Sequence, residues 1–146
     1  MKVQIYNPAY EEPIEGFDTI EFSGDFPSLF SKLDEICCDS EAEVILAQQL
    51  LSESPQGAGM EKLIGKLLSK VRTGGKAVFG GVDIDAFADA VKANEIDEVT
   101  LSGVVRRCKS MSRVFELSQM ISGALPQYFC SWTVRGINYE ITFARP

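Results

Sequence analysis

Two rhythms of apolar residues run along the chain, and they divide it into strands and helices. Val3-Gln4-Ile5-Tyr6 alternates and predicts a short first strand; Phe17 to Phe22, with Ile20 and Phe22 on one face, predicts a second. Between them Pro8 and Pro13 forbid regular pairing and mark a loop that closes at Gly16. From Phe26 the spacing changes to that of a helix, through Leu29, Phe30, Leu33, Ile36 and Cys37, with Asp25 placed as its N-cap. Val44-Ile45-Leu46-Ala47 is an unbroken apolar run, the pattern of a central strand covered on both faces.

Ser52 to Gly59 reads as a loop. Met60, Leu63, Ile64, Leu67, Leu68 and Val71 then line one side of a helix whose other side carries lysines. Gly74-Gly75 is the predicted stop, supplying the left-handed residue that helix ends favour. Lys76 to Asp83 predicts another buried strand, with Ala77–Val82 beside Val44–Ala47. Short helices follow over Asp85–Ala93 and Glu95–Cys108. A third, capped by Ser110 or Ser112, runs through Val114, Leu117 and Ile121 to Gly123. Residues 128–134 and 137–143 are β-rich runs about a turn at Arg135-Gly136, which predicts an antiparallel hairpin. Strands alternating with helices imply an α/β domain with a mostly parallel sheet flanked by helices. The chain, 146 residues long with 45% apolar, suits one domain over residues 1–146.

Composition narrows the chemistry. The chain has no histidine, so Ser-His-Asp and Cys-His catalysis are excluded and any general base must be Asp, Glu, Lys, Tyr or Cys. Cys37, Cys38, Cys108 and Cys130 show no C-x-x-C spacing, which argues against zinc and for buried reduced thiols in a cytoplasmic protein. Neither a signal-peptide core nor a membrane-length apolar stretch is present in the sequence. Net charge is −7, which disfavours non-specific nucleic-acid binding. The charge is uneven: residues 1–60 hold two lysines against twelve acids, residues 61–146 twelve basic groups against nine acids. Arg106-Arg107-x-Lys109-x-x-x-Arg113 reads as the solvated face of a helix, with a local anion patch as the sharper alternative.

Three segments in order carry a resemblance. Lys2-Val3-Gln4-Ile5-Tyr6-Asn7-Pro8 precedes Gly16-Phe17 and then Thr19-Ile20-Glu21; Ala42 to Ser52 is followed by Leu67 to Phe79 with its glycine pair; Leu125 to Pro146 closes the chain. Together they resemble the class I S-adenosylmethionine-dependent methyltransferases. That resemblance implies a Rossmann-related, mostly parallel sheet ending in an antiparallel hairpin. It places Glu21 where relatives hold the cofactor's ribose, and Asn7, Gln48 and Asp83, with Asp85 nearby, around the same crevice. It also shows a departure, because Tyr6 and Pro8 occupy the two glycine positions of the cofactor loop. Glycine there lets backbone approach a ligand closely; proline removes a donor and fixes φ.

Each candidate has an ordinary reading too: Glu21 as a strand-end acid, Gln48 as a polar strand terminus, Asp83 or Asp85 as a helix N-cap. The departure points to a non-catalytic binding or assembly module without a cofactor. An active methyltransferase using S-adenosylmethionine in a modified pocket, and capture of another small ligand at the same strand ends, stay open beside it. The connection between the first two strands is too short for a covering helix, so the domain is expected to leave apolar surface that a homodimer would bury.

Overall fold

A computed structural model describes residues 1–54 and 58–146, and the side chain of Ala58 is not described. Pro55, Gln56 and Gly57 of the expected loop Ser52–Gly59 therefore lie outside the described residues. The elements are β1 (Lys2–Tyr6), β2 (Asp18–Glu21), α1 (Phe26–Ile36), β3 (Ala42–Ala47), α2 (Ala58–Lys70), β4 (Val71–Val82), α3 (Ile84–Lys92), α4 (Glu98–Arg107), α5 (Val114–Ala124), β5 (Phe129–Arg135) and β6 (Asn138–Ala144). They form a six-stranded sheet in the order β2-β1-β3-β4-β6-β5. The first four strands are mutually parallel, and β6 enters antiparallel between β4 and β5.

Val44–Ala47 and Ala77–Val82 are adjacent central strands, as expected. The closing hairpin also forms, shifted by one residue so that Gly136 and Ile137 make the turn. Gly136 adopts φ +60°, which only glycine takes readily at the first central position of such a turn.

Register assigns the faces. Val3, Ile45, Ala77 and Phe143 lie abreast across the sheet, as do Ala47, Phe79 and Ile141. All of them are fully buried, in one core with Leu29 and Leu33 of α1, Leu63, Ile64, Leu67 and Leu68 of α2, and Leu117 and Ile121 of α5. The alternate residues belong to no such core. Lys2 and Lys76 are exposed, while Val44, Leu46, Val78 and Thr142 are only half-buried.

The expectation that the central strands are covered on both faces is thus corrected, and topology supplies the reason. The crossovers carrying α1 and α2 both advance in the same direction across the sheet, and right-handed connections place them on one face. The step from β1 to β2 runs the other way, and its connection, residues 7–17, contains no helix. The opposite face therefore lacks helical cover. Among the described residues, the segment after β1 overlays that face: Gln4 Nε2 donates to the Glu12 carbonyl at 2.9 Å, and the Ile14 amide donates to Gln4 Oε1 at 2.7 Å.

Several helix boundaries differ from expectation: α2 begins at Ala58, within the expected loop; α3 runs Ile84–Lys92 instead of Asp85–Ala93; and α4 begins at Glu98, behind its cap Asp97, instead of at Glu95. α2 ends at Lys70, and Val71 already pairs with Ala42, so Gly74 does not cap the helix. Its φ of +76° instead serves the irregular start of β4, where register shifts between Ala42 and Val44. Neither Ser110 nor Ser112 caps α5; the cap residue is Arg113, which contributes no side-chain bond. The cysteines are unpaired as expected, but only Cys37 is buried; Cys38 is exposed. Among the described residues no helix is long and apolar enough to cross a membrane.

Candidate functional site

In an open parallel sheet, ligands collect at the carboxyl ends of strands where the chain reverses its direction of travel. Here that point lies between β1 and β3, since β1 leads outward to β2 and the chain then returns past it. Asn7, the residue after β1, reaches across: its Nδ2 donates to Glu53 Oε2 at 3.2 Å. Glu53 follows β3 in a segment, Leu50 to Ser54, that is buried throughout. Glu53 is only 6% exposed, and among the described residues its Oε1 has no hydrogen-bond partner. Burial pushes its carboxyl above the ordinary glutamate value, against the opposing pull of the Asn7 bond.

The loop after β1 is wound tightly around Asn7. The Asn7 carbonyl accepts from the amides of Tyr10 and Glu11 at 3.0 and 2.9 Å, and the Asn7 amide donates to Glu11 Oε2 at 3.1 Å. Burial raises the Glu11 carboxyl as well, so two reluctant acids stand near one another. Tyr6 is 8% exposed, and its hydroxyl donates to Glu21 Oε1 at 3.5 Å, a long bond between register partners. Burial, with the Glu21 charge adding to it, raises the Tyr6 phenol.

Beside this crossing is a cleft of about 350 Å3 on the uncovered face, lined by Gln48, Gln49, Arg107, Arg135, Asn138 and Glu140 among others. Gln49 Nε2 donates to Asn138 Oδ1 at 3.3 Å across it. The Arg107 guanidinium sits 5.5 Å from the centroid of the Tyr10 ring, and its buried Nε has no hydrogen-bond partner among the described residues. Gly80 holds the floor together: a Cβ there would stand 2.0 Å from the Gln48 carbonyl oxygen. Tyr139, buried at the inner wall, has its phenol raised by burial and then by the nearby Asp83 charge.

Each of the four expected cofactor contacts has its own place in the structure. Asn7 is bound to Glu53, Glu21 meets Tyr6, and Gln48 lines the cleft. Asp83 stands apart. Its Oδ2 accepts from the Ala86 amide at 2.9 Å and its Oδ1 from the Val114 amide at 3.0 Å, so one carboxylate caps both α3 and α5. Asp85 is exposed and paired with Arg113 at 3.2 Å. Sequence reasoning passed over Glu53 and Glu11 as site residues, and read Arg107 as part of a solvated helix face with a local anion patch as the alternative. The available signal for Glu53 was an acid two residues after Leu50-Leu51, an apolar context that predicts burial. Among the described residues no cluster of three or more potential metal ligands occurs.

An O-methyltransferase family protein from Burkholderia thailandensis superposes over 87% of this chain with a TM-score of 0.55 at 14% identity. The fold is class I methyltransferase-like. A candidate S-adenosyl-L-methionine-dependent methyltransferase from Methanococcus maripaludis (TM-score 0.46, 15% identity, 87% of this chain) and a protein from Corynebacterium glutamicum (0.41, 12%, 97%) are more distant. The chain spans 36%, 54% and 50% of those three chains respectively. No protein-family model matches the chain, and no curated protein does. At these identities the likeness is one of fold.

Proposed function

We propose that this methyltransferase-like domain acts as a non-catalytic binding or assembly module and does not hold S-adenosylmethionine in the family's manner. The observation that carries this reading is the Asn7–Glu53 hydrogen bond across the reversal point, with Glu53 buried behind it. Around it the residues do not fit the cofactor. Tyr6 stands where backbone must approach the ligand, and its ring is buried at that position. Glu21, the acid that would hold a ribose, faces the Tyr6 hydroxyl. A single charge-assisted bond contributes about 1.5–3 kcal/mol, far below the roughly 8 kcal/mol behind a micromolar site. The unpaired thiols suit a reducing, cytoplasmic setting.

Titration calorimetry with S-adenosylmethionine and its demethylated product tests the reading. No heat is expected at millimolar ligand; a low-micromolar dissociation constant for either would overturn it. A second reading, capture of a different small polar ligand, is favoured by the buried, unpartnered Arg107 Nε beside the 350 Å3 cleft. An acceptor delivered there would satisfy a donor that otherwise carries its full desolvation penalty.

A further inference from the structure

The two edges of the sheet are built differently. β2 is four residues long and carries Asp18 and Glu21, features that blunt an edge against pairing. β5 is seven residues long, Phe129-Cys130-Ser131-Trp132-Thr133-Val134-Arg135, with no proline, no lysine and no bulge. Among the described residues it pairs with β6 alone. Large apolar side chains are exposed along it: Phe129 is 71% exposed, Trp132 42% and Val134 39%. Phe115 of α5, itself 55% exposed, meets the Trp132 ring edge-on at 6.4 Å and extends the patch.

The hairpin sets which backbone groups are free. Arg135 and Asn138 close a two-residue turn and so form a hydrogen-bonded pair. Antiparallel alternation then directs the amides and carbonyls of Ser131, Thr133 and Arg135 inward to β6. Those of Cys130, Trp132 and Val134 point outward.

We propose that two copies of the chain pair antiparallel through β5 about a two-fold axis at Trp132, joining their sheets into one. In that register Trp132 opposes Trp132, Cys130 opposes Val134, Ser131 opposes Thr133, and Phe129 opposes Arg135. Each pair is chemically matched, and the strand's one charge meets an aromatic ring instead of its own kind. The three outward-facing residues each meet an outward-facing residue of the other copy, so every free donor finds an acceptor. Self-complementarity of this kind is what a two-fold interface requires, which favours a second copy over a foreign strand. Thr133 and Arg135 also line the 350 Å3 cleft, so Phe129 of the partner subunit becomes part of its rim.

This deepens the assembly side of the proposed function, yet a titration showing cofactor binding would leave the edge pairing untouched. Sedimentation equilibrium on the full chain, with residue-resolved amide exchange, tests it. The expected result is twice the chain mass, with the Cys130, Trp132 and Val134 amides protected in a concentration-dependent way. Trp132→Lys sets like charges against each other at the axis, and Val134→Lys sets a lysine against Cys130 of the partner subunit, the kind of edge charge that blocks strand pairing, without touching the Phe115 contact. Both should halve the mass while far-UV circular dichroism stays unchanged. A monomer at high micromolar concentration, a dimer whose three amides exchange freely, or a well-folded Val134→Lys that remains dimeric would overturn the proposal.

Discussion

Asp83 gives one carboxylate oxygen to each of two helix N-termini, and no neighbouring residue can replace that pair of bonds. A side-chain cap is worth about 1 kcal/mol, and a buried amide left without its acceptor costs about 1–3 kcal/mol. Asp83→Ala should therefore lower unfolding free energy by about 2–4 kcal/mol in urea melts, whereas Asp85→Ala, which loses an exposed ion pair, should change it by under about 1 kcal/mol. Glu53 behaves in the opposite sense. Its carboxyl is raised in the fold, so the folded state binds the proton more readily than the unfolded chain. The resulting stability is fully present below the ordinary glutamate value and is lost as pH rises through the raised one. Glu11, also raised, acts in the same window. Asp34, held down by Lys66 and Lys70, and Asp97, held down by the Thr100 amide, act with the reverse sign at lower pH. Urea midpoints followed upward from the ordinary carboxyl range should fall with pH, and Glu53→Gln should flatten that slope. An unchanged slope would place the titration elsewhere. At this scale the sequence was only half legible. An aspartate after a strand looks the same whether it awaits a ligand or caps a helix, and only the approach of α5, thirty residues on, decides for Asp83.

Elements were easier to read than their ends. Apolar spacing located α1, α2 and the hairpin because each buries a continuous stripe, and burial is what the spacing reports. Where α2 stops was not legible. Gly74-Gly75 carries a helix-stop signature, but Val71 is drawn into pairing with Ala42 first, and tertiary pairing overrides the local preference. The glycines of β4 have a different duty. Gly80 lies where β3 turns away and Gln48 passes over it, so a methyl group there meets two backbone carbonyls, at 2.0 Å from Gln48 and 2.9 Å from Tyr139. Tyr139 is fixed within β6, and Gln48 follows directly on the end of β3. Gly80→Ala should destabilise by about 3 kcal/mol or more, at the upper end of overpacking penalties. Gly103→Ala is the control: it sits in α4 with open space around it, and should be neutral or stabilising by up to about 1 kcal/mol. Chemical denaturation of the two variants side by side checks both.

Helices α1, α2 and α5 pack on one face of the sheet, while Val44, Leu46, Val78 and Thr142 on the other stay half-buried, and this asymmetry is what the sequence concealed most fully. Val44-Ile45-Leu46-Ala47 is apolar without interruption, so its pattern alone cannot distinguish two covered faces from one. The deciding fact is the direction of the crossovers, which depends on strand order and is invisible in a local window. Adjacent residues of β3 make the asymmetry measurable. Ile45 is fully buried, beneath the helices with Val3 and Ala77 abreast of it; Leu46 points the other way and is half-buried between Gln4 and Val78. Truncating Ile45 removes buried methylenes and leaves a cavity that packed helices cannot close, at a loss of about 3–4 kcal/mol. Truncating Leu46 leaves no enclosed cavity, because solvent already reaches that face, and the loss should be about 1–1.5 kcal/mol, chiefly the transfer term. Unfolding of Ile45→Ala and Leu46→Ala in the same denaturant should show that separation. Equal losses at the two positions would mean that the second face is covered in solution, and that the bare surface is an interface rather than a boundary with water.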